Sequence, residues 1–249
     1  AAVMTDRPWT EEKSTAPSLP VSSTTTCPTT RYGYPRQVAK RVPDEPTAKI
    51  AAQAEALSAL AAGDGAGRLH RLAREVQPGD PTNREASAAQ IYWPTLMGAG
   101  FRRGDEAQPA NGLLDYGYAV LRATVLRALH DAGLHPGFGL HHIGRQNPGN
   151  LADDLIEPYR PAVDRLVRLI ADETGPAEPP TLTPAVKARL AELPGHPVSL
   201  EGQEMRLANA VLETCRSHTA VLRRERKDHL LPRSIAGAER CPMPGAPCG

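Results

Sequence analysis

The run Asn150-Leu151-Ala152-Asp153-Asp154-Leu155-Ile156-Glu157-Pro158-Tyr159-Arg160-Pro161 decides how the chain is read. Asn150 is a cap residue and Leu151 opens a helix. Asp153 and Asp154 near that helix N-terminus have an ordinary explanation, since carboxylates there are favoured by the dipole. Glu157 is about two turns in and is poorly covered by it. Like charges at i, i+3 and i, i+4 repel one another. Pro158 cannot donate to the Asp154 carbonyl, nor Pro161 to that of Glu157, so the helix is expected to kink. A kinked helix that presents Asp154 and Glu157 to a metal ion would give that cost a use.

Outward from this run, Gly137-Phe138-Gly139-Leu140 is a tight connector that delivers His141 and His142. A single histidine is more often a surface or core residue than a ligand, and two in tandem after a Gly-rich turn improve the odds moderately. Further upstream, Thr82-Asn83-Arg84-Glu85 has the form of a capping box, with Thr82 as cap and Glu85 reaching back to its N–H. Against that reading, Glu85 shares a face with Ala88, Ala89 and Tyr92. A carboxylate on that face points to the core and calls for a compensating cation.

Composition sets the frame. The 249 residues are 40% hydrophobic but only 4% aromatic, so the core is built from Leu, Val and Ala, which favours helices. A formal charge of +1 selects neither nucleic acid nor membrane, and any such claim must rest on local patches. Cys27, Cys215, Cys241 and Cys248 show no C-x-x-C spacing, which argues against a disulfide framework or zinc site and for a reducing compartment. No apolar run approaches the ~18 residues of a spanning helix, and no leader pattern opens the chain. A soluble cytoplasmic protein is expected.

Residues 1–45 are Pro/Ser/Thr-rich without period and are expected to be disordered, as is the Gly/Pro-rich tail at 233–249. Between them, 46–232 reads as a mainly α catalytic domain. A first helix begins near Pro46 with Thr47 as cap and carries Ile50, Ala54, Leu57 and Ala61 on one face. A short second helix holds Leu69, Leu72, Ala73 and Val76. A third runs from Asn83 through Tyr92, followed by a loop from Trp93 to Gln108. The longest helix spans Ala110 to Ala132, with Leu114, Tyr118, Leu121, Val125, Ala128 and Leu129 as its apolar stripe. After the kinked helix, Thr183-Pro184 opens another, ending by Leu193-Pro194-Gly195. A last helix covers Glu201 to Arg226, with Met205, Ala208, Leu212, Cys215, Thr219 and Leu222 buried. Arg102-Arg103 is either a solvated surface pair or a phosphate contact. Arg84 and Arg145 are further candidates for DNA.

An imidazole with two or three carboxylates suits a hard or borderline divalent ion, Mn²⁺ or Mg²⁺ rather than zinc. Such an ion polarises a phosphoryl oxygen, and a phosphodiester is a sensible substrate where no nucleotide-binding loop is seen. The residues by themselves point to a helical, metal-dependent phosphodiester enzyme.

Four segments sharpen this: NREASAAQIYW (Asn83–Trp93), NGLLDYGYAVLRA (Asn111–Ala123), HDAGLHPGFGLHH (His130–His142) and NLADDLIEPYRPAVD (Asn150–Asp164). In this order and spacing they resemble the catalytic domain of the CRISPR-associated integrase of spacer acquisition, in its type II form. The resemblance runs from about Ala48 to about Pro232. It implies an all-helical domain that joins the 3′-hydroxyl of a captured DNA fragment to a repeat phosphodiester. It implies Glu85, His142 and Glu157 as metal ligands, with Asp154 as an additional acidic residue near the metal. It also implies a homodimer that assembles with a small ferredoxin-like partner dimer on double-stranded DNA. Family members begin with a β-rich domain for which residues 1–45 show no counterpart, so a truncated or frame-disrupted chain is expected. The alternative function is therefore an inactive helical remnant that binds DNA or partner proteins.

Overall fold

The structure, a computed structural model, describes residues 45–60, 63–77, 80–142, 144–175, 179–227 and 230–234. Most of the two expected disordered tails lies outside these residues. Glu45, however, is already helical, and Pro232–Ser234 form a strand.

Three helices form a first layer: α1 (Glu45–Ala59), α2 (Gly65–Glu75) and α3 (Arg84–Met97). Thr47 lies inside α1 rather than at its cap, because Pro46 is tolerated in a first helical turn. Ile50, Ala54 and Leu57 meet Leu69, Ala73, Ala88, Tyr92 and Leu96 in a small core. The sequence ended α3 at Tyr92, yet it continues to Met97 with Pro94 inside. Packing offsets that proline. Trp93 packs edge-on against Tyr92 (5.1 Å) and tilted against Phe101 (5.5 Å), and Leu96 is buried. The loop after α3 is correspondingly shorter than expected.

The main core is centred on α4 (Pro109–Asp131), the longest helix among the described residues. Leu113, Leu114, Leu121, Val125 and Leu129 are fully buried along it. Against it pack α5 (Asn150–Ile156), a 3₁₀ turn (Glu157–Tyr159) and α6 (Arg160–Thr174). The two prolines act here as expected: the 3₁₀ turn breaks what would be one helix, and α6 restarts with Pro161 in its first turn. At the crossing of α4 and α6, Gly117 leaves no room for a side chain, since a Cβ there would lie 2.4 Å from Val163 Cγ1. Gly117→Ala should therefore destabilise the protein by about 1–3 kcal/mol in urea titrations. Adding Val163→Ala should cost less than it does in the wild-type background.

Thr183 caps α7 (Pro184–Ala191), its hydroxyl accepting from the Val186 N–H at 3.3 Å. The next segment departs from expectation. Glu201–Arg206 is not helical. Strands β1 (Pro197–Leu200) and β2 (Gln203–Arg206) form a hairpin, and β3 (Pro232–Ser234) adds to β1 in the order β2-β1-β3. The two-residue turn Glu201-Gly202 has φ of +51° and +80°, the geometry that suits a tight hairpin. Met205 is thus a strand residue, and α8 begins at Leu207 and ends at Leu222. Its buried face is Leu207, Ala210, Val211, Thr214, Cys215, His218 and Val221, rotated from the expected one. Burial pushes the Cys215 thiol up to about 12, so it is inert packing. The class is mainly α, as expected, with this small antiparallel sheet added. Among the described residues no helix is long and apolar enough to cross a membrane.

Candidate functional site

Glu85 is not a capping residue. Asp80, held at φ +42°, caps α3 instead, its carboxylate accepting from the Arg84 N–H (2.8 Å) and the Glu85 N–H (2.9 Å). That leaves the Glu85 side chain to meet Lys49 of α1, whose ammonium lies 2.5 Å from Glu85 Oε1. The same ammonium lies 2.6 Å from Glu157 Oε2 on the 3₁₀ turn. Two carboxylates from distant parts of the sequence thus share one cation. Burial works against the lysine charge, but Glu157 and Glu85 together hold its pKa above the usual value. Glu157 Oε2 is buried against the Lys49 ammonium, and Arg160 Nε approaches the other oxygen at 3.3 Å.

Asp154 does different work. It is 2% exposed, and its carboxylate accepts from the backbone N–H groups of Leu140, His141 (3.3 Å) and His142 (2.9 Å). It also meets His142 Nδ1 at 2.6 Å. A carboxylate on Nδ1 fixes the tautomer in which Nε2 carries the lone pair. The close packing of this loop needs Gly139, because a Cβ there would fall 1.9 Å from the His142 carbonyl oxygen. Asn150, expected as a cap, is the first residue of α5 and staples the same loop. Its amide donates to the Gly137 (3.1 Å) and Gly144 (3.0 Å) carbonyls and accepts from the Gly144 N–H. Asp153, expected as a helix-start charge, also pairs with Arg122 of α4 at 2.6 Å. Burial alone would raise its pKa, and the hydrogen bonds from Arg122 and Asn147 hold it low. His218 of α8 is fully buried and is lowered to about 4 by burial, against the pull of Asp154, so it is neutral.

Beside Lys49 and Glu85 opens a cavity of about 120 Å³, also lined by Trp93, Arg103, Tyr118 and Arg160. Arg103 and Arg160 lie over the Tyr118 ring at 5.4 and 4.9 Å. Arg103 is also tied to Asp115 and Asn111. On the cavity wall Asp164 is fully buried and accepts from the Tyr92 (2.9 Å) and Tyr118 hydroxyls. Burial pushes its pKa up to about 6, although both tyrosines, Arg160 and Arg103 pull it down. The folded state then holds a proton that the unfolded chain has lost. Stability should fall by about 3 kcal/mol as pH rises from about 4 to 6 on this group's account. Asp164→Asn should flatten the profile by that amount in urea unfolding across the window.

Of the other basic candidates, Arg84 pairs with Glu75 at 3.2 Å, while Arg102 and Arg145 are exposed. Reading the sequence missed Lys49, Arg160 and Asp164; it left Tyr118 between core packing and lining a site, and Tyr118 lines the cavity. A signal for Lys49 was present: Lys49 and Gln53 are i, i+4 on an otherwise Ala-rich helix, and both are turned inward.

Two features suit a divalent ion: the carboxylate pair already gathered about a cation, and an imidazole whose Nδ1 is held by an acid. The convergence of all three ligands is another matter. Among the described residues no group of three His, Cys, Asp or Glu side chains is placed to hold a metal. The carboxylates of Glu85 and Glu157 are brought together, and His142 stands with Asp154.

What fold and site define is a helical domain that assembles acidic side chains around a positive charge at the junction of two cores. Residues 80–174 match the family model described as CRISPR associated protein Cas1. The chain is 43% identical over 145 residues to the CRISPR-associated endonuclease Cas1 of Neisseria meningitidis serogroup C, covering 58% of this chain and 46% of that one. It is 33% identical over 126 residues to the CRISPR-associated endonuclease Cas1 2 of Pyrobaculum aerophilum, covering 49% and 42%. A solved casposase bound to integration product has a TM-score of 0.59 at 21% identity, over 82% of this chain and 64% of that one. A Cas6-RT-Cas1–Cas2 complex gives 0.57 at 18%, over 78% and 24%. At those identities the structural likeness is one of fold. The helical domain is similar to the CRISPR-associated Cas1 proteins, and the chain spans less than half the length of these two curated relatives.

Proposed function

We propose that this chain is the catalytic helical domain of a metal-dependent DNA integrase and endonuclease of CRISPR adaptation. Its reaction joins the 3′-hydroxyl of a captured DNA fragment to a repeat phosphodiester by transesterification. The observation that carries this reading is the Glu85–Glu157 pair gathered around a cation, in a chain related to Cas1 endonucleases. The casposase fold neighbour, solved with an integration product, supports the same chemistry.

Glu85, Glu157 and His142 would hold Mn²⁺ or Mg²⁺. Held there, such an ion would supply Lewis acidity toward the phosphoryl oxygen and the attacking hydroxyl. Asp154 orients His142 and anchors its loop. Arg103 and Arg160 give the neighbouring cavity a charge suited to a phosphate. Arg84, Arg102 and Arg145 are further DNA contacts in this reading. The Cas6-RT-Cas1–Cas2 fold neighbour supports assembly with a Cas partner; in this reading the chain forms a homodimer with a small ferredoxin-like partner dimer on double-stranded DNA in the cytoplasm.

A strand-transfer and nicking assay on branched DNA with Mn²⁺ tests the reading. Product is expected from the wild type and not from His142→Ala. Product that survives His142→Ala would place the chemistry elsewhere. A second reading, an inactive helical remnant that binds DNA or partner proteins, is favoured by Lys49 filling the space between the carboxylates. It predicts no product from either protein.

A further inference from the structure

Lys49 belongs to no motif that led to the candidate site, yet it touches both carboxylates of the Glu85–Glu157 pair. Its ammonium is 2.5 Å from Glu85 and 2.6 Å from Glu157. Its side chain is 17% exposed and that of Glu157 9%, so the contact is largely shielded from water. Glu85 is 44% exposed, but two carboxylates brought this close still repel unless a positive charge lies between them. Arg160 reaches only Glu157, at 3.3 Å. Glu157 Oε2 has Lys49 as its ionic partner.

We infer that Lys49 is the resident counter-cation of this site: it holds the Glu85–Glu157 pair together before a divalent ion arrives and must leave when one binds. This rests on the metal-dependent reading above. Lys49 is thus a positioning residue that preserves the site and lowers its affinity for the ion. A divalent ion carries twice the charge and takes several oxygen ligands at once. It can therefore displace the ammonium. The lysine stem is flexible, so its charged end can swing away from the carboxylates when they take the ion.

The test compares wild type, Lys49→Met, Lys49→Gln and Lys49→Arg by calorimetric titration with Mn²⁺ and by thermal unfolding with and without Mn²⁺. Lys49→Gln serves if Lys49→Met does not fold. Without metal, the neutral variants should unfold at lower temperature than wild type. With Mn²⁺ they should bind at least about tenfold more tightly and show the larger gain in Tm. Lys49→Arg should stay close to wild type. Mn²⁺ binding by wild type with equal or weaker binding by the neutral variants would overturn the inference and leave the metal reading standing. No Mn²⁺ binding by any of the four proteins would overturn both.

Discussion

Asp154→Ala should release the loop that carries His142 and lower stability by about 3 kcal/mol. The reason is the number of groups served by one buried carboxylate. Three consecutive backbone N–H groups, of Leu140, His141 and His142, and the His142 ring all point at it. Each hydrogen bond to a charged acceptor contributes about 1.5–3 kcal/mol when its donor is otherwise stranded. The loop is partly open to solvent, so water recovers some of that loss. Asp154→Asn should recover less than half of the stability. Its amide nitrogen is a donor and would face N–H groups that also donate. Urea unfolding measures the first effect. Hydrogen exchange at the Leu140 and His142 amides measures the second, with protection expected to fall at those residues first. Unchanged protection in Asp154→Ala would mean that the loop is held by Asn150 alone.

Glu157→Ala is the change expected to hurt function most. It removes one of the two carboxylates that meet at Lys49 and leaves the lysine with Glu85, which is far more exposed. Mn²⁺ affinity should drop about 100-fold or more, and strand transfer at least about 1,000-fold. Calorimetry with wild type and Glu157→Ala reads the first directly, and equal binding removes Glu157 from the ligand set. Stability should fall as well, because half of a shielded ion pair has been deleted. The double variant Lys49→Met with Glu157→Leu should regain most of that stability, since an apolar pair can replace a buried ionic one. It should regain none of the activity. A variant that is stable and inactive separates the chemistry of Glu157 from its place in the fold.

Much of this architecture could be read from spacing. The long apolar period of α4, the Thr183-Pro184 start of α7 and the break at Pro158 and Pro161 are local signals, and each has a local physical cause. The errors occur where a distant contact outweighs the local one. Pro94 did not end α3 because the Trp93 ring is packed between Tyr92 and Phe101. The Glu201–Arg206 segment has residues that a helix accepts, but its Glu-Gly turn and pairing with Pro197–Leu200 make it a hairpin. Within the site, Glu85 carried a convincing local alternative as a cap. Only the three-dimensional position of Asp80, five residues earlier, removes it. Asp154 was legible as an acidic residue of the site, but its role as an acceptor for a loop twelve to fourteen residues upstream was not. Lys49 was the hardest to see, because a lysine on a helix is ordinary until its partners are known.

The two cores described above meet where Lys49 and Glu85, from the α1–α3 layer, face Glu157, from the α5–α6 break. Trp93 and Met97 touch both cores, so the layers are joined by packing as well as by charge. Anything bound between Glu85 and Glu157 is therefore a clasp across a seam. Binding there would add one more tie between the layers and couple the melting of one more tightly to that of the other.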